Sequence, residues 1–93
     1  MNKKRVVLTV IGKDTVGIVA KIATLCAECN ANIIDVSQSI LGGDTFAMIM
    51  LTDVTSLNIT FADLSNKLDV LADLNNLKIH AVHEDVFSAM HHI

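Results

Sequence analysis

Three groups of residues have types and spacings that could carry chemistry. The first is the run Gly12-Lys13-Asp14-Thr15-Val16-Gly17. An apolar segment stops at Gly12, a polar turn follows, and a pattern with helical spacing opens at Gly17 and Ile18. Main-chain N–H groups at a helix start favour a carboxylate or a phosphate, because they point outward and carry the positive end of the helix dipole. Lys13 adds a positive charge, and Asp14 either caps the helix or takes an ammonium group. A free α-amino acid carries both charges and fits this pair. The plainer alternative is that Asp14 only caps the helix and Gly17 only lets it approach the sheet. The G-x-x-x-x-G spacing is that of a phosphate loop, but such a loop continues with Lys and Ser or Thr. Ile18 and Val19 stand there instead, which excludes a nucleotide site, and the extra glycine of a dinucleotide fingerprint is missing.

The second group is Cys26-Ala27-Glu28-Cys29, a C-x-x-C. A redox pair needs its thiols at a helix N-terminus, where the dipole lowers their pKa. These two fall late in the expected helix, so they read as buried thiols packing as small apolar groups. The third group is His80, His83, His91 and His92. None has the spacing to complete a zinc site with the cysteines. His80 and His83 are three residues apart on an expected strand, so they point to opposite faces and form no acid–base pair. The sequence therefore offers no catalytic residue, no metal site and no cofactor site, and the chain is not expected to be an enzyme.

The elements that position these groups follow from periodicity. Arg5 to Ile11, RVVLTVI, is β-branched and nearly continuous, as in a central strand. Ile18, Ile22, Leu25, Cys26 and Cys29 form a one-sided stripe, with Lys21, Thr24 and Glu28 opposite, so a helix is expected from Thr15 or Val16 to about Asn30. Asn32–Leu41 and Asp44–Asp53 are expected as two strands joined by a Gly42-Gly43 hairpin turn, with Leu41 opposite Asp44. That register puts Ile34, Val36, Ile40, Ala47, Ile49 and Leu51 on the core face. It leaves Phe46, Met48 and Met50 on the opposite face with Ile33, Asp35, Ser37 and Ser39. A second helix is expected from Thr60, a natural N-cap, to Leu74, burying Phe61, Leu64, Leu68 and Leu71 with Val70 beside them. Leu77–Val82 gives the last strand, and Asp85–Met90 a short C-terminal helix.

The order β-α-β-β-α-β predicts an α+β, ferredoxin-like sandwich: an antiparallel four-stranded sheet with two helices on one face. The other sheet face would carry Phe46, Met48, Met50, Val82 and Ile11, a contiguous apolar patch that usually meets a partner. Self-association is expected there, unless the terminal helix folds over it.

Composition sets the boundaries. Ninety-three residues suit one domain, 1–93, and 52 % hydrophobic residues suffice for a packed core. A net charge of −3, with basic residues clustered only at Lys3, Lys4 and Arg5, gives no stripe for nucleic acid. No apolar run is long enough for a membrane span, and the N-terminus does not resemble a secretory signal, so a cytoplasmic protein is expected.

The stretch TVIGKDTVGIVAKIATLCAECNANIIDVSQSI resembles the opening half of an ACT domain. Those domains begin with a strand, then G-x-D-x-x-G-I-V/L-A, then a helix ending in N-x-N-I or a close variant. Gly12, Asp14, Gly17, Ile18, Val19 and Ala20 match in place, as do Asn30, Asn32 and Ile33. The length and the tail VFSAMHHI resemble the small stand-alone bacterial single-ACT proteins. The resemblance implies a regulatory module that binds an amino acid or related metabolite at the loop from strand one to helix one, often between two subunits of a homodimer. Carried over by position, the ligand-binding residues are Gly12, Lys13, Asp14, Thr15, Val16, Gly17 and Ile18, with Asn32 and Ile33 across the dimer interface. Many relatives have proline before the second glycine, where this chain has Val16, so the loop is less preorganised. The chain carries no catalytic or DNA-binding domain of its own, so its output would pass through another protein. The alternative function is a ligand-independent interaction module working through the open sheet face. Glycine-cleavage repressor proteins, built from paired ACT domains, are the family's precedent for acting through partners.

Overall fold

The structure is a computed structural model that describes residues 4–13 and 17–86. Its elements are β1 (Arg5–Lys13), α1 (Ile18–Glu28), β2 (Asn32–Leu41), β3 (Thr45–Asp53), α2 (Phe61–Leu74) and β4 (Leu77–His83). The sheet order is β2-β3-β1-β4, and each neighbouring pair is antiparallel. Each helix thus crosses between two parallel strands that have another strand between them. This is the ferredoxin-like βαββαβ plan that the sequence predicts.

Both helices bury one stripe against the same sheet face. Ile18, Ile22 and Cys26 of α1, with Leu64, Leu68 and Ala72 of α2, pack onto Val6, Leu8, Val10, Met48, Met50 and Ile79. Leu25 and Leu71 flank this core half-buried, whereas Val70, expected beside the stripe, is exposed and Ala72 takes the inner position. The α2 start is capped as expected: Thr60 Oγ1 accepts from the Asp63 N–H at 3.1 Å. Helix α1 begins at Ile18, two or three residues later than expected, because Gly17 takes the N-cap position with φ 82°. Its far end stops at Asn30, whose φ of 63° lies in the left-handed region that ends helices. The carbonyls left over there are satisfied from outside the helix: Asn58 donates its side-chain amide to Glu28 O (2.8 Å) and its N–H to Cys29 O (3.1 Å).

The β2–β3 hairpin differs from expectation by one residue. Leu41 pairs with Thr45, so the loop is Gly42-Gly43-Asp44, with both glycines at positive φ (62° and 90°). A shift of one residue reverses every side chain of β3 relative to the expected register, since the strand period is two. Phe46, Met48 and Met50 are therefore buried in the core, and Ala47, Ile49 and Leu51 lie on the open face. The larger side chains gain more from burial, which favours this register. A bulge at Ile34 restores the expected pairing at the base of the hairpin, where Ile33 meets Thr52 and Asn32 meets Asp53. It turns Ile33 toward the core and leaves Ile34, expected inside, exposed. Ile40 sits on the core side but overhangs the sheet end and is 53 % exposed. The one buried polar residue of the described chain, Thr52, donates its hydroxyl to Val6 O at 3.0 Å.

The sheet face away from the helices therefore carries Val7 and Ile11 of β1, Ile49 and Leu51 of β3, Leu41 of β2 and Val82 of β4; Ile11, Ile49 and Leu41 are exposed there, whereas Val7 is buried. Ile11 and Val82 were expected there; Phe46, Met48 and Met50 are not there. Residues 84–86 are helical, and the remainder of the expected terminal helix, 87–90, lies outside the described residues.

Candidate functional site

Strand β1 delivers the loop residues at one end of the sheet. Gly12 pairs with Phe46 on one side and Leu77 on the other. A Cβ there would run into Leu77 Cδ2 and lie 3.2 Å from Asn76 O, so a larger residue would have to displace the Leu77 side chain and crowd a carbonyl. Lys13 ends the strand, and its Nζ lies 2.9 Å from Asp44 Oδ2 in the hairpin turn. Both side chains are well exposed, so the pair contributes little to stability. It does set where the lysine's charge sits. Asp44 is a site neighbour that sequence reasoning did not include; its signal lay in the hairpin register, which brings the turn beside the end of β1.

Asp14, Thr15 and Val16 lie outside the described residues. Gly17 resumes the chain at φ 82° and ψ 6°, a left-handed conformation that glycine adopts at no steric cost. The first helical bond runs from the Lys21 N–H to Gly17 O at 3.0 Å. The N–H groups of Ile18, Val19 and Ala20 therefore precede the intrahelical ladder. Among the described residues no side chain caps this helix start through a hydrogen bond and no acidic residue occupies its first turn, in contrast to α2. The Ile18 side chain is buried in the core and fixes the direction in which the helix leaves the loop.

Asn32 and Ile33 stand at the other end of the sheet. Asn32 is opposite Asp53, which is opposite Arg5, while Gly12 is seven residues further along β1, roughly 23 Å at strand rise. Within one chain the structure does not bring them to the loop. They line instead a cavity of about 340 Å³ at the β2 edge, with Ala23, Ala27, Asn30 and Ala31. A larger, mostly apolar groove of about 620 Å³ runs between the two helices, with Leu25, Val70, Leu71 and Leu74 in its walls and Lys21, Glu28 and Lys67 at its rim.

Among the described residues the other two groups show no reactive arrangement. Cys26 and Cys29 are buried free thiols, and burial together with the neighbouring Cys29 pushes the Cys26 thiol up to about 11. Such a thiol is a poor nucleophile at neutral pH. His80 and His83 face opposite sides of the sheet, opposite Thr9 and Val6 respectively, and the His83 ring stacks on Phe61 with centroids 4.8 Å apart. His91 and His92 lie outside the described residues. Among the described residues no three His, Cys, Asp or Glu side chains converge as metal ligands, and no helix is long and apolar enough to cross a membrane.

Comparison with known proteins places this geometry. A UPF0237 protein of Methanocaldococcus jannaschii is 45% identical over 89 residues, covering 96% of this chain and 98% of its own. An ACT domain protein from Streptococcus pneumoniae has a solved structure that superimposes with a TM-score of 0.79 at 31% identity, covering 92% of this chain and 96% of that one. The regulatory subunit of aspartate kinase from Thermus thermophilus shares the fold at a TM-score of 0.66 and 16% identity, over 86% of this chain and 51% of that one. The family model for the ACT domain, a regulatory domain that binds small ligands, matches residues 4–82. With the βαββαβ order and the four-stranded antiparallel sheet, this match means that the chain belongs to the ACT domain family.

Proposed function

We propose that this protein is a homodimeric regulatory protein, not an enzyme, whose effector is an amino acid or a related metabolite bound at the β1–α1 loop near the subunit interface. The observation that carries the reading is the start of α1. Three N–H groups precede the helical ladder, no side chain among the described residues caps them, and Lys13 stands at the root of the same loop. A carboxylate suits that set of groups. Asp14, from the same loop, supplies the negative charge for an ammonium group.

The distance between Gly12 and Asn32 gives the dimer its role in the site. Strand β2 is an edge strand of ten residues, mostly exposed, with neither proline nor lysine to discourage pairing. Antiparallel pairing of β2 with a partner's β2 carries the partner's Asn32 and Ile33 toward the end of the sheet that holds Lys13 and the loop. A ligand there changes how the subunits pack, and the altered assembly is what a partner protein reads.

The test is a thermal melt followed by circular dichroism, with each amino acid added in turn. A ligand at about a hundred times its dissociation constant adds ~2.7 kcal/mol. For a domain of this size that raises Tm by roughly ten degrees or more. One amino acid raising the melt supports the reading and names the effector. A flat panel overturns it in favour of an interaction module that works without a ligand.

A further inference from the structure

We infer that the groove between α1 and α2 is a docking site for an amphipathic helix of another protein, one whose apolar stripe is flanked mainly by acidic residues. The groove is built from the two helices alone, so it owes nothing to ligand binding at the β1–α1 loop or to pairing through the sheet.

Helices that pack on a sheet turn their outer faces to water, and those faces are ordinarily polar. The groove of about 620 Å³ between α1 and α2 departs from this. Val70 and Leu74 stand 59 % and 78 % exposed along its α2 wall, with half-buried Leu71 beside them and half-buried Leu25 across from them. The α1 wall is low, because the exposed residues there include Ala20 and Thr24. A helix laid in this groove can approach the α1 backbone closely and set its own large side chains against Val70 and Leu74. The exposure decides between occupants. A small-molecule site encloses most of its ligand, and a wall residue as far into water as Leu74 encloses little. An open apolar trough about two helical turns long suits the face of another helix.

The charges narrow the choice of partner. Helix α2 carries Asp63, Lys67, Asp69 and Asp73, and of these only Lys67 lines the groove. Asp69 and Asp73 line a separate cavity on the β4 side, with Leu77 and Ile79. Helix α1 adds Lys21 and Glu28 to the rim. Two lysines against one glutamate make this strip positive on a chain whose net charge is −3. Lys21 Nζ donates to Asn75 Oδ1 at 2.8 Å, a neutral partner that leaves its charge uncompensated. Lys67 makes no ion pair among the described residues. A basic-flanked helix would therefore meet like charge at two places, and an acidic-flanked one attraction at both. Lys21 and Glu28 are seven residues apart, roughly 10 Å along α1, so that wall is positive at one end and negative at the other. An incoming helix that runs in the direction of α1, acidic in its first turns and basic in its last, satisfies both charges and its own dipole.

The experiment titrates the full chain into two fluorescein-labelled, lactam-stapled peptides of ~15 residues and follows anisotropy. Both carry leucines at i, i+3, i+4 and i+7. One has glutamates along its flanks and a lysine in its last turn; the other has these charges exchanged. The acidic-flanked peptide should bind on the order of tenfold more tightly at low salt, because each exposed charge pair contributes a factor of a few. Added salt should narrow that gap. Val70→Asp changes an exposed position, so the chain should keep its circular dichroism spectrum and lose the peptide. Lys67→Glu should erase the preference between the two peptides. The inference is overturned if neither peptide binds wild type, if both bind alike, if Val70→Asp binds as wild type does, or if the preference survives Lys67→Glu. Two further results overturn it by naming another occupant. A dimer seen by light scattering that Val70→Asp dissociates puts a second copy in the groove. Peptide binding that appears only after deletion of residues 87–93 puts the chain's own C-terminus there.

Discussion

Truncating Met48 and its sequence neighbour Ile49 separately to alanine tests the register on which the fold account rests. Met48 is 1 % exposed, lies opposite Val10 of β1 and Gln38 of β2, and packs in the core cluster. Its removal leaves a cavity under both helices, and buried Met→Ala changes cost ~2–5 kcal/mol. Ile49 points the other way and is about half in water already, so its truncation forfeits roughly 1 kcal/mol of burial in the isolated subunit. For a domain of this size 1 kcal/mol moves Tm by ~4–8 °C. Met48→Ala should therefore melt at least ~8–16 °C below wild type, and Ile49→Ala no more than ~4–8 °C below. The assay is urea and thermal unfolding by far-ultraviolet circular dichroism, run dilute (about 1 µM) to keep subunit association from masking the difference. With the hairpin in the register predicted from the Gly-Gly pair, the order reverses. A more damaging Ile49→Ala would refute the three-residue loop and the face assignment together.

Four further outcomes follow from the same geometry. Gly17→Ala places a side chain at φ 82° in open space, so it should cost about 1 kcal/mol through backbone strain, seen as a lower urea midpoint with unchanged slope. Asp44→Asn removes the anion beside Lys13; if the lysine meets a ligand carboxylate, the effector's Kd falls in calorimetry while Tm without ligand barely changes. Thr60→Ala removes the cap on the Asp63 N–H and should destabilise by ~1 kcal/mol, a loss that Thr60→Ser largely restores. Cys26 in the folded chain holds its proton to about pH 11, above the ordinary value of 9.0. The unfolded chain therefore releases that proton first, and stability should fall as pH rises from about 9 to 11; Cys26→Ala should flatten this part of the profile.

Most of the fold was legible because its signals are local. The α1 stripe, the Thr60 cap and the left-handed stop at Asn30 each depend on residues a few positions apart, and each stands where the pattern puts it. The hairpin register was not legible in the same way. Gly42-Gly43 suits a two-residue turn or the start of a three-residue one, and only the competition between Phe46, Met48 and Met50 and their neighbours for the space beneath the helices decides. Both alternating sets of β3 are apolar, so periodicity could not separate them. At the candidate site, the glycines were visible as glycines but their tasks were not. Gly12 leaves room for the Leu77 side chain, a contact 65 residues away in sequence, whereas Gly17 is glycine for its dihedral angle. The Lys13–Asp44 pair likewise depended on the register and was missed with it.

The three-residue turn and the bulge at Ile34 also bear on how such a chain can change over time. Substitutions at Gly43 or Asp44 alter one exposed position each, but losing or gaining one residue there exchanges the sides of the hairpin. Repair requires a second event in the same strand pair, such as loss or creation of the bulge, because only an even change in residue count keeps the methionines beneath the helices. Length variation in this turn among descendants of this sequence should therefore come in steps of two, or be accompanied by a shift at position 34.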